Sequence, residues 1–328
     1  MIKFLVYVAI ILTVVAVGYL VRVFELAQAL KGKKQDVTER DNKLMGRTML
    51  GLLVFLFGFT IWQLVEYSDK MLPEAASISG AETDALLDFN FAIIWIVFVL
   101  TQFLLFWFSY KYYGRDNNRA TYFPHSNKLE MIWTVIPAIV LAVIIIFGLK
   151  SWNNITAPAA AESTIVQLYS KQFDWTARYA GKDNVLGESN YKLISGSNEL
   201  GMDANSPEGK DDIVVKNELH LPVNKEVEFK FNSRDVIHSA YFPHFRAQMN
   251  CVPGMTTMFH FTPTITTAEM RQKTGNEAFD YILLCNKICG NSHYNMQMTI
   301  IVETEEEYNK WLSEKKPFLA PTETAEVK

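Results

Sequence analysis

Apolar residues crowd into the first 152 positions of the 328-residue chain. They form four runs, each close to the 20 or so residues that a helix needs to cross a bilayer. The runs cover about 2 to 24, 48 to 67, 89 to 110 and 129 to 149. The first could also serve as a secretory signal, but Ala27-Gln28-Ala29 is a poor cleavage site and the run is expected to persist as a span. After residue 152 the pattern shifts to a mixed, alternating one. TIVQLYSKQFDWTARYAG (164 to 181), ELHLPVNKEVEFKFNSRDVIHSAYFP (218 to 243), TTMFHFTP and NMQMTIIVET alternate apolar and polar residues and are rich in β-branched and aromatic side chains. Short strands at this spacing predict an all-β sandwich or barrel. The polar stretch 182 to 212 reads as a long loop or insertion.

The expected order is therefore a helix pair in 1 to 68, an acidic loop in 69 to 88, a helical hairpin in 89 to 151, a β domain in 152 to 312 and a flexible tail in 313 to 328. The acidic loop is expected to be simply solvated.

Charge orients the spans. Arg22, Lys31, Lys33, Lys34, Arg40, Lys43 and Arg47 lie between the first two, and Lys111, Arg115, Arg119 and Lys128 between the last two. The loop from Ser68 to Asp88 holds only Lys70 among several acids. The positive-inside rule places the basic loops in the cytoplasm, and hence both termini and the β domain on the other side. In a bacterium this is the periplasmic face of the plasma (inner) membrane, where free thiols tend to oxidise. A net charge of −4 without a long basic run excludes a nucleic-acid partner.

The candidate chemistry lies in CNKICGNSHYNM, residues 285 to 296, which holds two of the three cysteines. A C-x-x-x-C pair alone is compatible with a disulfide or a thiol-redox pair. Here His293 and Met296 follow, and thiolate, imidazole and thioether together select copper, as in cupredoxin electron-transfer centres. One copper of that kind needs one cysteine, so two cysteines suggest two metals. Two bridging thiolates suit a one-electron relay, because the core's charge changes by only one elementary charge shared between two ions. Each copper then calls for a terminal imidazole, so a second histidine must come from elsewhere.

Of the others, His125 falls in a cytoplasmic loop, and His220 and His260 alternate with apolar residues inside strands. His238, at the end of an apolar strand, and His244 remain as candidates. Cys251 reads as a buried free thiol behaving as a small hydrophobe. No C-x-x-C-H occurs, so this chain is expected to carry no covalent haem. Glu130, at the cytoplasmic start of the last span, is either a favoured helix N-terminal charge or a proton-relay group.

The combination DVIHSAYFP, VPGM and CNKICGNSHYNM with the upstream LEMIWTVIPA resembles subunit II of haem-copper cytochrome c oxidase over roughly residues 85 to 312. The resemblance implies a two-helix membrane hairpin, so that the first two of the four spans are additional to the family's usual pair, and a cupredoxin-like Greek-key barrel on the periplasmic side. It also implies a dinuclear copper-A centre. Its ligands would be Cys285 and Cys289 as bridges, His238 with Met296 on one copper, and His293 with the backbone carbonyl of Lys287 on the other. The implied function is that of the electron-entry subunit of a proton-pumping aa3-type oxidase. Cytochrome c or a haem c-bearing complex would be the donor and subunits I and III the partners, with oxygen reduced in subunit I.

Glu130 matches a glutamate at a proton-channel entrance, and Phe173 and Trp175 match an aromatic electron path. Phe173 stands where the family commonly has tryptophan, and Lys287 stands where it usually has a magnesium-binding glutamate, which puts that ion in doubt. A membrane-tethered copper chaperone or thiol oxidoreductase would predict an α/β pattern. A copper-free quinol-oxidase subunit II would lack the ligands, and a nitrous oxide reductase would bring a propeller-sized domain.

Overall fold

The computed structural model describes residues 2 to 30 and 37 to 319. Lys31, Lys33 and Lys34 of the charge argument, both chain ends, and the part of the expected tail from 320 to 328 lie outside the described residues. Among the described residues, four helices are long and apolar enough to cross a membrane. They are α1 (Ile2–Leu30), α2 (Glu39–Glu66), α3 (Ile78–Lys111) and α4 (Asn127–Thr156). All four expected spans are found, each within a helix longer than the apolar run except that Tyr67, the last residue of the second run, is the cap that follows α2. At the start of α2, Thr38 and Asp41 form a reciprocal capping box that satisfies backbone N–H groups which would otherwise be orphaned. Pro137 sits inside α4.

The chain divides into two compact units, residues 1 to 69 with 95 to 126, and residues 70 to 94 with 127 to 328. In the first, α2 meets the C-terminal half of α3. Gly46 is buried there, and a Cβ at this position would lie 3.2 Å from the Ser109 carbonyl oxygen, so a small residue is what permits the close approach. Phe57 and Phe98 pack edge to face in the same unit.

The second unit contains the β domain. Its ten strands are β1 (Thr164–Lys171), β2 (Asp174–Tyr179), β3 (Ile213–Lys216), β4 (Glu218–Pro222), β5 (Val227–Ser233), β6 (His238–Phe242), β7 (Ala247–Cys251), β8 (Thr257–Phe261), β9 (Tyr281–Cys285) and β10 (Gln297–Glu303). They form two five-stranded sheets, β3-β2-β1-β5-β8 and β4-β10-β9-β6-β7. The stretch 164 to 181, expected as strand, is a tight hairpin in which Lys171 faces Asp174. β1 runs parallel to β5, and β4 to β10, while the other pairs are antiparallel. Alternate residues of both sheets point inward into one core. Leu168, Trp175, Phe229 and Phe231 of the first sheet are fully buried with Phe242, Tyr281, Leu283 and Ile300 of the second. Two short helices, α5 (Thr267–Thr274) and α6 (Glu305–Glu314), each open on a capping box.

The insertion 182 to 212 is irregular but not loose. Arg178 of β2, wholly buried, reaches across it. The guanidinium Nε donates to Asp212 at 3.0 Å, Nη1 donates to Gln167 at 3.2 Å and Nη2 donates to the Gly187 carbonyl at 2.6 Å. Asp212 also accepts the Gly187 N–H at 3.0 Å. Burial pushes the Asp212 carboxyl up, against the pull of Arg178.

The acidic segment 69 to 88 departs from the expected solvated loop. From Ile78 onward it is already helix α3, and the residues before it lie as a strap on the β domain. Ala76 is fully buried, and its N–H donates to the His244 carbonyl at 2.7 Å. The Ser77 hydroxyl donates to the Phe245 carbonyl at 2.8 Å, and Ser77 bridges Pro263. Arg246 grips both carboxylate oxygens of Asp84, at 2.8 and 3.0 Å, and Glu74 pairs with Lys273. These acids find basic partners that lie far away in sequence, which no local reading supplies.

Breaking a buried ion pair leaves an uncompensated charge, which costs on the order of 3–5 kcal/mol. Replacing Arg178 by Met is therefore expected to lower the denaturation midpoint of the full chain in detergent by a corresponding amount. An unchanged midpoint would show that the insertion is not pinned by this pair.

Candidate metal centre

The loop between β9 and β10 holds the candidate cluster. Cys285 is the last residue of β9 and pairs with Ala240 of β6, the strand that His238 opens. Three backbone bonds close the loop on itself and on β6. Cys285 N–H donates to the Met296 carbonyl at 3.0 Å, Asn286 N–H to the Ser239 carbonyl at 2.9 Å, and Met296 N–H to the His293 carbonyl at 3.2 Å.

This framework brings together side chains that are far apart in sequence. The Cys285 Sγ lies 3.9 Å from the Cys289 Sγ and 3.8 Å from the His238 Nδ1. The Cys289 Sγ lies 3.6 Å from the His293 Nδ1 and 3.8 Å from the Met296 Sδ. The Lys287 carbonyl oxygen is 3.2 Å from the Cys285 Sγ. Ligand atoms of His238, Cys285 and Cys289 all fall within 4.8 Å of one another, a group able to hold a metal ion. Both cysteines are free, and both are buried with His238 and Met296. His293 is half-buried, while Lys287 is exposed.

The donor set fits a soft metal. A metal–thiolate bond is about 2.3 Å. Half of the 3.9 Å between the two sulfurs is less than that, so an ion can bond to both at once. Residues 285 to 296 contain no carboxylate, and a hard cation wants oxygen ligands.

Spacing left His238 and His244 open; the fold brings His238 to the cluster. His244 instead packs its ring edge-on against Phe279 and Tyr281, with a buried Nδ1, and burial followed by the charge of Arg246 holds its pKa down. His220 is buried against Glu303 and stacked on Trp311, and His260 pairs with Glu226. Cys251 is a fully buried free thiol opposite His238, its pKa pushed by burial up to about 12. Glu130 is exposed in the first turn of α4.

Two supporting residues escaped the sequence reading. Asp235 accepts from the His238 Nε2 at 2.8 Å, which aims Nδ1 at Cys285. An outer carboxylate of this kind fixes the tautomer and raises the basicity of a ligating imidazole. The Asp-x-x-His spacing could have signalled it. Gln172, in the β1–β2 turn, donates its side-chain amide to the Cys289 carbonyl. Phe173 beside it lies over the loop. A Cβ on Gly290, whose φ is +144°, would come within 2.9 Å of the Phe173 ring, so both backbone conformation and space require glycine. Phe173 is partly exposed, whereas Trp175 is buried and meets the His238 ring edge-on at 6.3 Å.

Burial resists ionisation of both thiols, but their neighbours differ. Hydrogen bonds from His238 and from backbone groups pull the Cys285 thiol down, whereas burial and the Cys285 charge push Cys289 up. The His238 pKa is raised, because its partners Cys285 and Asp235 outweigh burial.

These features define a β-sandwich joined to membrane-length helices, whose β9–β10 loop meets His238 in a cysteine-rich group able to hold a metal ion. Residues 60–151 match the family model described as cytochrome c oxidase subunit II, transmembrane domain, and residues 164–304 match the periplasmic domain of the same subunit. The chain belongs to the cytochrome c oxidase subunit II family, and it is a membrane protein with a cupredoxin-like periplasmic domain.

Among its relatives, the alternative cytochrome c oxidase subunit 2 of Bradyrhizobium diazoefficiens is 37% identical over 229 residues, which is 68% of this chain and 78% of that one. Cytochrome c oxidase subunit 2 of Thermostichus vulcanus is 28% identical over 286 residues, 80% of this chain and 82% of that one. The crystal structure of the periplasmic domain of cytochrome oxidase subunit II from Bradyrhizobium japonicum superposes with a TM-score of 0.32 at 21% identity, covering 48% of this chain and 94% of that chain. The family assignment rests on the sequence matches and not on that superposition.

Since Cys289 keeps its proton at neutral pH, a metal that takes both thiolates must displace at least that proton. Copper affinity of the full chain is thus expected to rise about tenfold per pH unit through neutrality. Competition titration against a chelator checks this, and a flat profile would contradict it.

Proposed function

We propose that the chain is the electron-entry subunit of a proton-pumping aa3-type cytochrome c oxidase, and that its loop cluster holds a dinuclear copper-A centre. Cys285 and Cys289 would bridge the ions, with His238 and Met296 serving one copper, and His293 and the Lys287 carbonyl the other. The observation that carries this reading is the convergence of two thiols, two imidazoles, a thioether and a carbonyl oxygen around one buried spot.

When bound, such a copper pair supplies one-electron exchange over a thiolate-rich core. The chain's own residues do the rest. Asp235 holds the His238 ring, the backbone bonds at Cys285 and Met296 fix both ends of the loop, and the core behind it excludes water. A site whose ligands are already placed needs little rearrangement between redox states.

In this reading cytochrome c or a haem c-bearing complex docks at the exposed edge of Phe173, with Trp175 behind it against His238. Subunit I receives the electrons and subunit III completes the complex. Glu130 lies at the proton-channel entrance, on the cytoplasmic side, and both termini are periplasmic. Helices α1 and α2 form an added N-terminal pair that contacts neighbouring subunits. Residues 152 to 312 make the copper domain, to which the strap before α3 also belongs.

Two substitutions in the assembled oxidase test the proposal. Loss of an outer-shell partner typically costs about 10–100-fold in metal affinity or activity. Cys289→Ser removes a direct ligand, so it is expected to cost more than that in turnover with cytochrome c while leaving the β domain folded. Normal turnover would return the cysteine pair to thiol chemistry. Phe173→Ala is expected to slow electron entry by about tenfold, the loss of one aromatic anchor, at unchanged copper content. Unchanged donor kinetics would remove Phe173 from the docking surface.

A further inference from the structure

A second site lies at the outer end of the helical hairpin, away from the metal loop. The first turns of α3 and the last turns of α4 enclose a groove of about 430 Å³, lined by Glu82, Ala85, Leu86 and Phe89 on one side and Phe147, Lys150, Ser151 and Asn154 on the other. The spacings 82, 85, 86, 89 and 147, 150, 151, 154 each follow one helix face. Seven residues of helix rise about 10 Å. The groove is thus graded along its length, with Glu82, Lys150, Ser151 and Asn154 toward one end and the two phenylalanines toward the other.

The helices themselves show where this gradient sits in the bilayer. The apolar run of α3 starts at Phe89, below the polar turns that contain Glu82, and the run of α4 ends at Leu149, just before Lys150. Trp152, half-exposed, follows two residues after Lys150, and tryptophan and lysine of this kind mark the headgroup level. The polar end of the groove therefore lies among lipid headgroups and its aromatic end among acyl chains. At the polar end stand one cation and one anion, and neither Lys150 nor Glu82 has an ion-pair or hydrogen-bond partner among the described residues.

We propose that this groove binds one phospholipid with an amine-bearing, zwitterionic headgroup of the phosphoethanolamine type. The phosphate takes Lys150, with Ser151 and Asn154 as hydrogen-bond donors, the headgroup ammonium takes Glu82, and an acyl chain lies against Leu86, Phe89 and Phe147. Lysine serves phosphate as a point charge, and a free ammonium brings donors that a carboxylate accepts. A purely anionic lipid would satisfy Lys150 and leave Glu82 facing a negative headgroup. A groove of this size covers the head and the upper part of a chain.

The test is native mass spectrometry of the full chain in detergent, titrated with phosphatidylethanolamine, phosphatidylglycerol or phosphatidylcholine of matched chain length. The wild type is expected to retain one phosphatidylethanolamine about fivefold more tightly than phosphatidylglycerol, the worth of one exposed ion pair. Glu82→Gln is expected to erase that preference while phosphate binding persists. Lys150→Gln is expected to weaken all three lipids, and Leu86→Trp, which fills the groove, to abolish the specific adduct at unchanged helix content. Equal retention of all three lipids by the wild type overturns the headgroup assignment, and so does tighter binding of phosphatidylglycerol. Undiminished adduct in Leu86→Trp overturns the site.

Discussion

Two thiols 3.9 Å apart in a buried pocket are an unfavourable arrangement for a chain to hold. Once one ionises, its charge opposes the second, and burial opposes both. The surrounding structure compensates through geometry. Cys285 is fixed by strand register opposite Ala240, and its N–H is tied to the Met296 carbonyl across the loop. Cys289 is held through its carbonyl by Gln172 of the other sheet. The site is thereby suspended between the two sheets, and the sandwich core beneath it carries the cost of keeping the donor atoms converged. This is preorganisation in a concrete form, because the ligand positions are set by backbone hydrogen bonds and strand pairing and do not depend on flexible side chains finding one another.

The same logic connects the β domain to the segment that leads into the hairpin. The strap before α3 is anchored by buried Ala76 and by Ser77, and the first turns of α3 by the two-oxygen grip of Arg246 on Asp84. Arg246 holds a left-handed backbone conformation at the end of a short turn, which lets its side chain also reach the Pro243 carbonyl. The start of α3 thus belongs energetically to the aqueous domain.

Family membership and the metal reading draw on different observations that agree. The matched segments cover the transmembrane and periplasmic parts separately, and the ligand cluster falls inside the second. Lys287 keeps its backbone carbonyl near Cys285 while its side chain departs from the carboxylate usual in the family.

By itself, the sequence determined the features that depend on local order. Four membrane-length helices were legible because bilayer thickness sets the length of an apolar run, and the β character of the rest because inward and outward residues alternate. The candidate ligand loop was legible because Cys285, Cys289, His293 and Met296 lie within twelve consecutive residues. Tertiary structure decided what depends on long-range register. Spacing left His238 and His244 open and the family resemblance named His238; the pairing of β6 with β9 supplies the physical reason, because it brings that imidazole to Cys285. Tertiary structure buried Trp175 against His238 and left Phe173 at the edge, and it pinned the insertion through Arg178 and Asp212. It also turned a run of acids that reads as solvated into a strap and a helix. The partners of those acids, Arg246 and Lys273, lie more than a hundred residues away, and no local pattern announces them.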